Sequence, residues 1–182
     1  MSKIRRIQFT GGPGVGKSAT APWLFSKLKE LGVNVEFVQE YVKGWSYQKR
    51  EVTKYDQIYL FGKQQNREYS LLSKGVDFII TDSPVFLCGV YTEVYFGKEL
   101  ADHLFSISDL YEEDYPCLTI IIERPADQEY QSAGRYQTKE EAEELHIAIK
   151  AKTLETYPNA KTFFNNQREE MLEFVLSQLK IQ

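Results

Sequence analysis

The sequence predicts an α/β fold built on a parallel sheet, and three observations carry that prediction. Short apolar runs alternate along the 182 residues with longer stretches of helical period, the pattern of repeated strand–helix units. The first run feeds a glycine-rich turn, Gly11-Gly12-Pro13-Gly14-Val15-Gly16-Lys17-Ser18, which opens into an amphipathic helix. The later runs Val76–Thr81 and Leu118–Ile122 are apolar at nearly every position, as strands covered on both faces are.

Each element has its own signal. Lys3–Thr10 reads as the first strand, and Gly11–Gly16 as a loop. A helix then runs to about Leu31, with Ala21, Leu24, Phe25, Leu28 and Leu31 on one face and Gly32 as its stop. Pro22 lies inside that helix, removes one backbone hydrogen bond and is expected to kink the axis. Asn34–Gln39 is a second strand ending at Glu40. Thr53 and Asp56 resemble a capping box for a helix reaching about Lys74, with Gly75 after it. Val76–Thr81 is the third strand, and Pro84 begins a new segment. A helix is expected over Leu100–Glu112, a fourth strand over Leu118–Ile122, and a capped helix from Thr138, with Glu141 at the third helical position, to about Leu154. Lys161–Phe164 reads as a fifth strand and Glu169–Leu179 as the last helix. The stretch 123–137 is the exception. It is poor in apolar residues, holds Pro125, Gly134, Arg124 and Arg135, and follows a buried strand, so it reads as a lid.

Composition bounds the function. A chain of this length is expected to form one domain, spanning 1–182. With 42% hydrophobic and 26% charged residues it is too apolar for a disordered chain. No apolar run approaches the roughly 18 residues a membrane span needs. The charged start lacks the apolar stretch of a signal peptide, so a cytoplasmic location and no membrane partner are expected. Cys88 and Cys117 make neither a disulfide framework nor a cysteine-rich zinc site, and His103 and His146 form no local metal motif. The net charge of −4 argues against duplex binding without removing nucleic acid from the candidate partners. The oligomeric state stays open, a homodimer included.

The glycine-rich turn matches G-x-x-x-x-G-K-[ST] in full and stands between a strand and a helix, as that motif requires. Glycines let backbone N–H groups close around phosphate oxygens, and the helix end adds unsatisfied donors and a positive dipole. Gly11, Gly12, Pro13, Gly14, Val15, Gly16, Lys17, Ser18 and Ala19 are therefore the expected nucleotide-binding residues, with Lys17 reaching the β- and γ-phosphates and Ser18 positioned to ligand Mg²⁺. Asp82, delivered by an apolar third strand, is the expected second Mg²⁺ ligand, in a Walker B arrangement. ATP and Mg²⁺ are the expected cofactors.

Three classes share this loop. A GTPase needs a guanine-reading Asn-Lys-x-Asp, which the sequence lacks; after the fourth strand it reads Glu123-Arg124-Pro125-Ala126-Asp127. A motor ATPase usually carries Glu beside the Walker B Asp, where this chain has Ser83, and an oligomeric ATPase needs a separate helical lid domain for which the chain is too short. A small kinase remains. Glu40, at the expected loop end of the sheet, is placed to accept the proton of an acceptor hydroxyl or to hold its Mg²⁺, and Asp82 is the alternative catalytic base. Tyr41, Lys43, Gln57, Gln64 and Arg67 are candidate acceptor-binding residues, amides for a base edge and cations for phosphate. Arg135, beside Gly134, is the candidate that closes on the transferring group, with Arg124 as a second.

These residues resemble the small P-loop kinases common in bacteriophage genomes, which are similar to ribosylnicotinamide kinases and deoxynucleoside kinases. The resemblance rests on the loop at 11–18, Glu40-Tyr41-x-Lys43, Asp56-Gln57 with Gln64, Thr81-Asp82-Ser83-Pro84, and Gly134-Arg135-Tyr136-Gln137-Thr138 with Glu140-Glu141-Ala142. It implies a five-stranded parallel sheet of order 2-3-1-4-5 with helices on both faces, and Glu40 as the base. It implies phosphorylation of a hydroxyl on a nucleoside, nucleotide or related small molecule. Ser83 stands where deoxynucleoside kinases usually have Arg, which leaves the acceptor open. Some kinases of this broad type act on modified pyrimidines within DNA, and a nucleotide-dependent regulator without acceptor chemistry is the reading from another class.

Overall fold

Five parallel strands in the order β2-β3-β1-β4-β5 form the sheet. The computed structural model describes residues 4–131 and 135–181. In chain order the elements are β1 (Arg6–Thr10), α1 (Lys17–Glu30), β2 (Val35–Val38), α2 (Lys43–Tyr47), α3 (Asp56–Leu72) and β3 (Phe78–Thr81). They continue with α4 (Val85–Phe96), α5 (Lys98–Asp114), β4 (Cys117–Glu123), α6 (Lys139–Thr156), β5 (Lys161–Phe164) and α7 (Arg168–Leu179). The order is the one that the resemblance implied.

Strand alternation divides β1 between two chemistries. Ile7 and Phe9 are fully buried on one face, with Ile80, Ile120 and Ile122 from its neighbours. That face is covered by Ala21, Leu24 and Leu28 of α1 and by Met171 and Val175 of α7. Arg6 and Gln8 point to the other face and are equally buried. There Arg6 pairs with Glu68 of α3 at 2.9 Å and Glu112 of α5 at 3.5 Å, and its guanidinium lies 4.6 Å from the centre of the Tyr111 ring. Gln8 donates to the Thr119 hydroxyl at 2.9 Å. Burial pushes the Glu68 carboxyl up, against the pull of Arg6. Apolar contacts complete this side: Leu72 on Val38 and Ile79, and Phe61 with Val85, Leu104 and Tyr111.

Most expected elements are present, with shifted ends. The first strand begins at Arg6, and Lys3 of the expected span lies outside the described residues. Leu31, expected on the buried face of α1, is the C-cap and 53% exposed, because the helix has ended. α1 runs unbroken through Pro22. Thr53 does not cap α3. The helix starts at Asp56, whose carboxylate accepts from the Thr53 N–H at 2.9 Å and from its hydroxyl at 2.7 Å. The box at Thr138 and Glu141 has both of its reciprocal bonds. Two helices, α2 and α4, have no counterpart in the sequence reading. α4, Val-Phe-Leu-Cys-Gly-Val-Tyr-Thr-Glu-Val-Tyr-Phe, is apolar nearly all round, so it carries no amphipathic period to detect; such a helix is buried, here between α3, α5 and α6.

Glu68→Ala would leave the Arg6 guanidinium buried without its closest counter-charge. A loss of about 3–5 kcal/mol of stability is expected in denaturant unfolding, with the folded sheet retained at low denaturant.

Candidate active site

Parallel pairing brings the carboxyl ends of the strands to one edge, where ligands of such sheets bind. Thr10 is in register with Ile121, Val38 with Thr81, and Glu123 with Phe164. The segments after β1, β2, β3 and β4 therefore leave the sheet side by side, carrying the glycine-rich loop, Glu40, Asp82 and Arg124.

The loop's backbone takes its shape from glycine. Gly14 and Gly16 have φ of +83° and +100°, and Gly16 is a left-handed N-cap with no side-chain cap to consume the donors of α1. No acidic residue stands in the first turn of α1, so its positive end is left for an anion. Lys17 donates to the carbonyls of Gly11 at 2.5 Å and Gly12 at 2.9 Å. Burial pushes its ammonium below the usual lysine range, while Glu40 and Asp82 pull it up and Arg135 adds to the lowering.

The loop forms one wall of a cavity of about 1030 Å³. Pro13, Gly14, Gly16, Lys17, Ser18 and Ala19 line it; Gly11, Gly12 and Val15 do not and are buried beneath the loop. Glu40, Tyr41, Lys43, Gln57, Gln64 and Arg135, expected from the sequence, are all brought to this one cavity. Burial pushes the Glu40 carboxyl up; Lys17 pulls it down and Asp82 pushes it further up. Gln64 donates to the Thr81 hydroxyl at 3.2 Å and keeps a buried carbonyl oxygen without a partner. Tyr41 shares a 2.9 Å hydroxyl contact with Tyr59 and meets Trp45 edge-on.

Asp82 is 2% exposed behind the cavity wall. One carboxylate oxygen accepts from the Glu40 N–H at 2.8 Å, and the other is buried without a hydrogen-bond partner. An orphaned acceptor of this kind suits a cation, and the exposed Ser18 hydroxyl offers a second oxygen. No cluster of three or more His, Cys, Asp or Glu side chains able to hold a metal occurs among the described residues. That spare donor set fits a cation that keeps its waters and shares substrate phosphates, which is how Mg²⁺ binds.

Arg67 is not brought to the cavity. It is exposed, and its guanidinium holds the Gln39 carbonyl at 2.9 Å; it shares the face of Gln64, three residues before it, but the cavity wall on α3 runs only from Gln57 through Leu60 to Gln64. Arg124 is committed to Glu143 at 3.1 Å. The hinge expected at Gly134 lies outside the described residues. On either side of it, Arg135 lies 5.5 Å from the centre of the Tyr130 ring, and Arg124 lies 5.4 Å from the same centre. The Tyr136 hydroxyl donates to the Arg50 carbonyl at 2.7 Å, and Gln137 donates to the Tyr95 hydroxyl at 3.0 Å. The segment is thereby tied across the cavity to α4 and to the turn before α3.

Sequence reasoning missed several residues. Tyr91 and Tyr95 of α4 line the cavity and stack with ring centres 6.3 Å apart. Tyr130 packs on Gly14, and Asn165, just past β5, donates to the Val15 carbonyl at 2.9 Å. No local motif marks any of them. Cys88 also lines the cavity, but burial pushes its thiol up to about 12, so it remains protonated and is no nucleophile.

A family model described as AAA domain matches residues 6–164. The chain belongs to the AAA domain family. Among solved structures it is similar to NadR protein in complex with NR, with 16% identity, a TM-score of 0.74, and coverage of 98% of this chain and 52% of that one. A second NadR structure, in complex with NAD and AMP-PNP, gives 14% identity, a TM-score of 0.67, and coverage of 98% and 50%. The chain thus spans about half the length of the NadR chains it matches. It is also similar over the full length of a thymidylate kinase from Ehrlichia chaffeensis, with 17% identity, a TM-score of 0.66, and coverage of 99% and 100%. The fold is therefore that of P-loop kinases. No curated protein matches the sequence. No helix among the described residues is long and apolar enough to cross a membrane.

A methyl group on Gly14 would meet the Tyr130 ring at 2.6 Å and force a residue with a side chain to φ +83°. Gly14→Ala is expected to weaken ATP binding by about tenfold or more in calorimetry, with the fold retained.

Proposed function

We propose that the protein is a Mg²⁺–ATP-dependent phosphotransferase acting on a hydroxyl of a nucleoside or a related small molecule. The observation that supports it most is one cavity shared by the phosphate loop, with Lys17, and by the half-buried carboxylate of Glu40. A nucleotide-binding loop alone would serve a regulator equally well. A raised carboxylate facing it, in a space large enough for a second small molecule, is what phosphoryl transfer to an acceptor requires.

The roles follow from position. Backbone N–H groups of the loop and Lys17 hold the β- and γ-phosphates, Lys17 exchanging its loop carbonyls for phosphate oxygens. Ser18 and Asp82 would hold Mg²⁺, which supplies charge neutralisation at the β- and γ-oxygens when bound. Glu40 accepts the proton of the acceptor hydroxyl, whose oxygen attacks the γ-phosphorus as the bond to the β-phosphate oxygen breaks and ADP leaves. Arg135 meets the charge on the transferring group. Tyr41, Lys43, Gln57 and Gln64 form the acceptor side, and the segment 123–137 is the proposed lid that excludes water.

Charge favours an acceptor without a phosphate of its own. With Lys17 and Arg135 assigned to the triphosphate, Lys43 is the cation that remains on the cavity wall among the described residues. It is outnumbered there by Glu51, Glu129, Glu141 and Glu144. A second phosphate would enter a net negative field.

Lys17→Ala is expected to abolish transfer while leaving far-UV circular dichroism unchanged. Glu40→Gln is expected to lower kcat by roughly 100-fold or more with little change in ATP affinity. In the wild type, kcat falls on the acid side through a group titrating above the usual glutamate range, because burial holds Glu40 protonated there. A labelled-ATP screen across nucleosides, nucleoside monophosphates and single-stranded DNA tests the reading. Acceptor-stimulated ADP release by nucleosides is expected; tight ATP binding with no stimulation by any acceptor would point to a regulator.

A further inference from the structure

We infer that His146 is a positioning residue for the phosphate loop: from α6 it takes up the Gly12 N–H and keeps the loop in register with the segment that carries Arg135. The inference rests on the ATP-binding part of the proposed function and not on the identity of the acceptor.

The geometry is specific. The Gly12 N–H donates to His146 Nδ1 at 3.0 Å. Gly12 is buried, so without that acceptor its N–H would be an orphan donor at the start of the loop. The two backbones also touch. A Cβ at Gly12 would stand 2.6 Å from the His146 Cβ, 2.8 Å from its Cα and 3.0 Å from the Ala142 carbonyl. The motif leaves this position free, and this chain has glycine there because α6 lies directly against it. α6 begins at Lys139, capped by Thr138, immediately after the segment whose Arg135 faces the cavity. His146 sits two turns into that helix. A displacement of α6 is thus transmitted to Gly12 and to Arg135 together. On the far side of the loop Asn165 holds the Val15 carbonyl, so the loop is bracketed at a donor and at an acceptor.

The contact also assigns the imidazole tautomer. An Nδ1 that accepts puts the proton on Nε2, and a doubly protonated ring has no lone pair for Gly12. The groups that face the ring are Glu123 at the end of β4, Lys17 of α1, Lys150 of its own helix and Arg124 after β4. Burial and the three cations lower its pKa, against the pull of Glu123, so the accepting form prevails at neutral pH. Acid converts the acceptor into a donor that opposes the Gly12 N–H and releases the bracket.

The test is calorimetric titration of the full chain with Mg²⁺–ATP between about pH 5 and pH 8. The wild type is compared with His146→Leu, which keeps bulk but cannot accept, and His146→Asn, whose amide oxygen can. Thermal midpoints are recorded for each. At neutral pH the Leu variant is expected to bind ATP about tenfold more weakly and the Asn variant within about threefold of wild type. Wild-type affinity is expected to fall in acid by a one-proton step that both variants lack. Lower thermal midpoints with unchanged affinity would reduce His146 to packing. Wild-type affinity in the Leu variant, or an acid step that survives in the Asn variant, overturns the inference. Should the Leu variant fail to fold, the Asn variant and the pH series still decide. ATP binding with these features but no transfer to any acceptor would sink the phosphotransferase reading and leave His146 standing.

Discussion

Parallel pairing of β1 between β3 and β4 is the constraint on which the rest of this molecule depends. Each strand must return by a crossover to run in the same direction, so every carboxyl end opens on one edge and every amino end on the other. The loop after Thr10, Glu40 after β2, Asp82 after β3 and Arg124 after β4 are separated by about thirty to forty residues of chain. They meet only because the ladder aligns Gln8 with both Thr81 and Thr119. An antiparallel strand at any of these positions would carry its end residue to the far edge of the sheet.

At that edge the charges hold one another away from their ordinary states. Lys17 is held low and Glu40 high, in both cases mainly by burial, while their mutual attraction acts in the opposite direction. Asp82 spends one oxygen on the Glu40 backbone and keeps the other unmet. Coulombic effects are strong where water is scarce, so a triphosphate with its cation entering this space would change several of these balances at once. The backbone of the loop is, by contrast, already in place. Gly11, Gly14 and Gly16 adopt positive φ, and His146, Tyr130 and Asn165 pack against it.

The two faces of the sheet divide the labour of stability. Under α1 and α7 the core is mostly hydrocarbon, with Thr20 a buried exception, and its contribution scales with the apolar area removed from water. Beneath α3 and α5 the same strand presents Arg6 and Gln8, whose burial is tolerable only with partners: Glu68, Glu112, Tyr111 and Thr119. A buried pair of this kind adds little net energy but permits one register of α3 on the sheet, because any slip would strand a charge. Gln57 and Gln64 lie on that same helix, so the arrangement that seats Glu68 also aims the two amides at the cavity.

What the sequence by itself determined is what local chemistry encodes. Glycine spacing with Lys17 and Ser18 specifies a phosphate loop; apolar runs specify buried parallel strands; Thr138 and Glu141 specify a helix start. Glu40, Asp82 and the inward glutamines were legible because each lies at a strand end or at a fixed spacing along one helix. Arg67 was misplaced for the same reason, since a spacing rule counts turns but does not see where a helix leaves the cavity. Tertiary structure alone decided the rest. α4 has no amphipathic period, because α3, α5 and α6 cover most of its sides and much of the rest lines the cavity. Tyr91, Tyr95, Tyr130, His146 and Asn165 reach the site from elements whose positions depend on packing over a hundred residues. His146 is the sharpest case. A lone histidine in a helix has no pattern, and it gains meaning only where the chain folds back and a backbone N–H that nothing local can satisfy finds its acceptor 134 residues away.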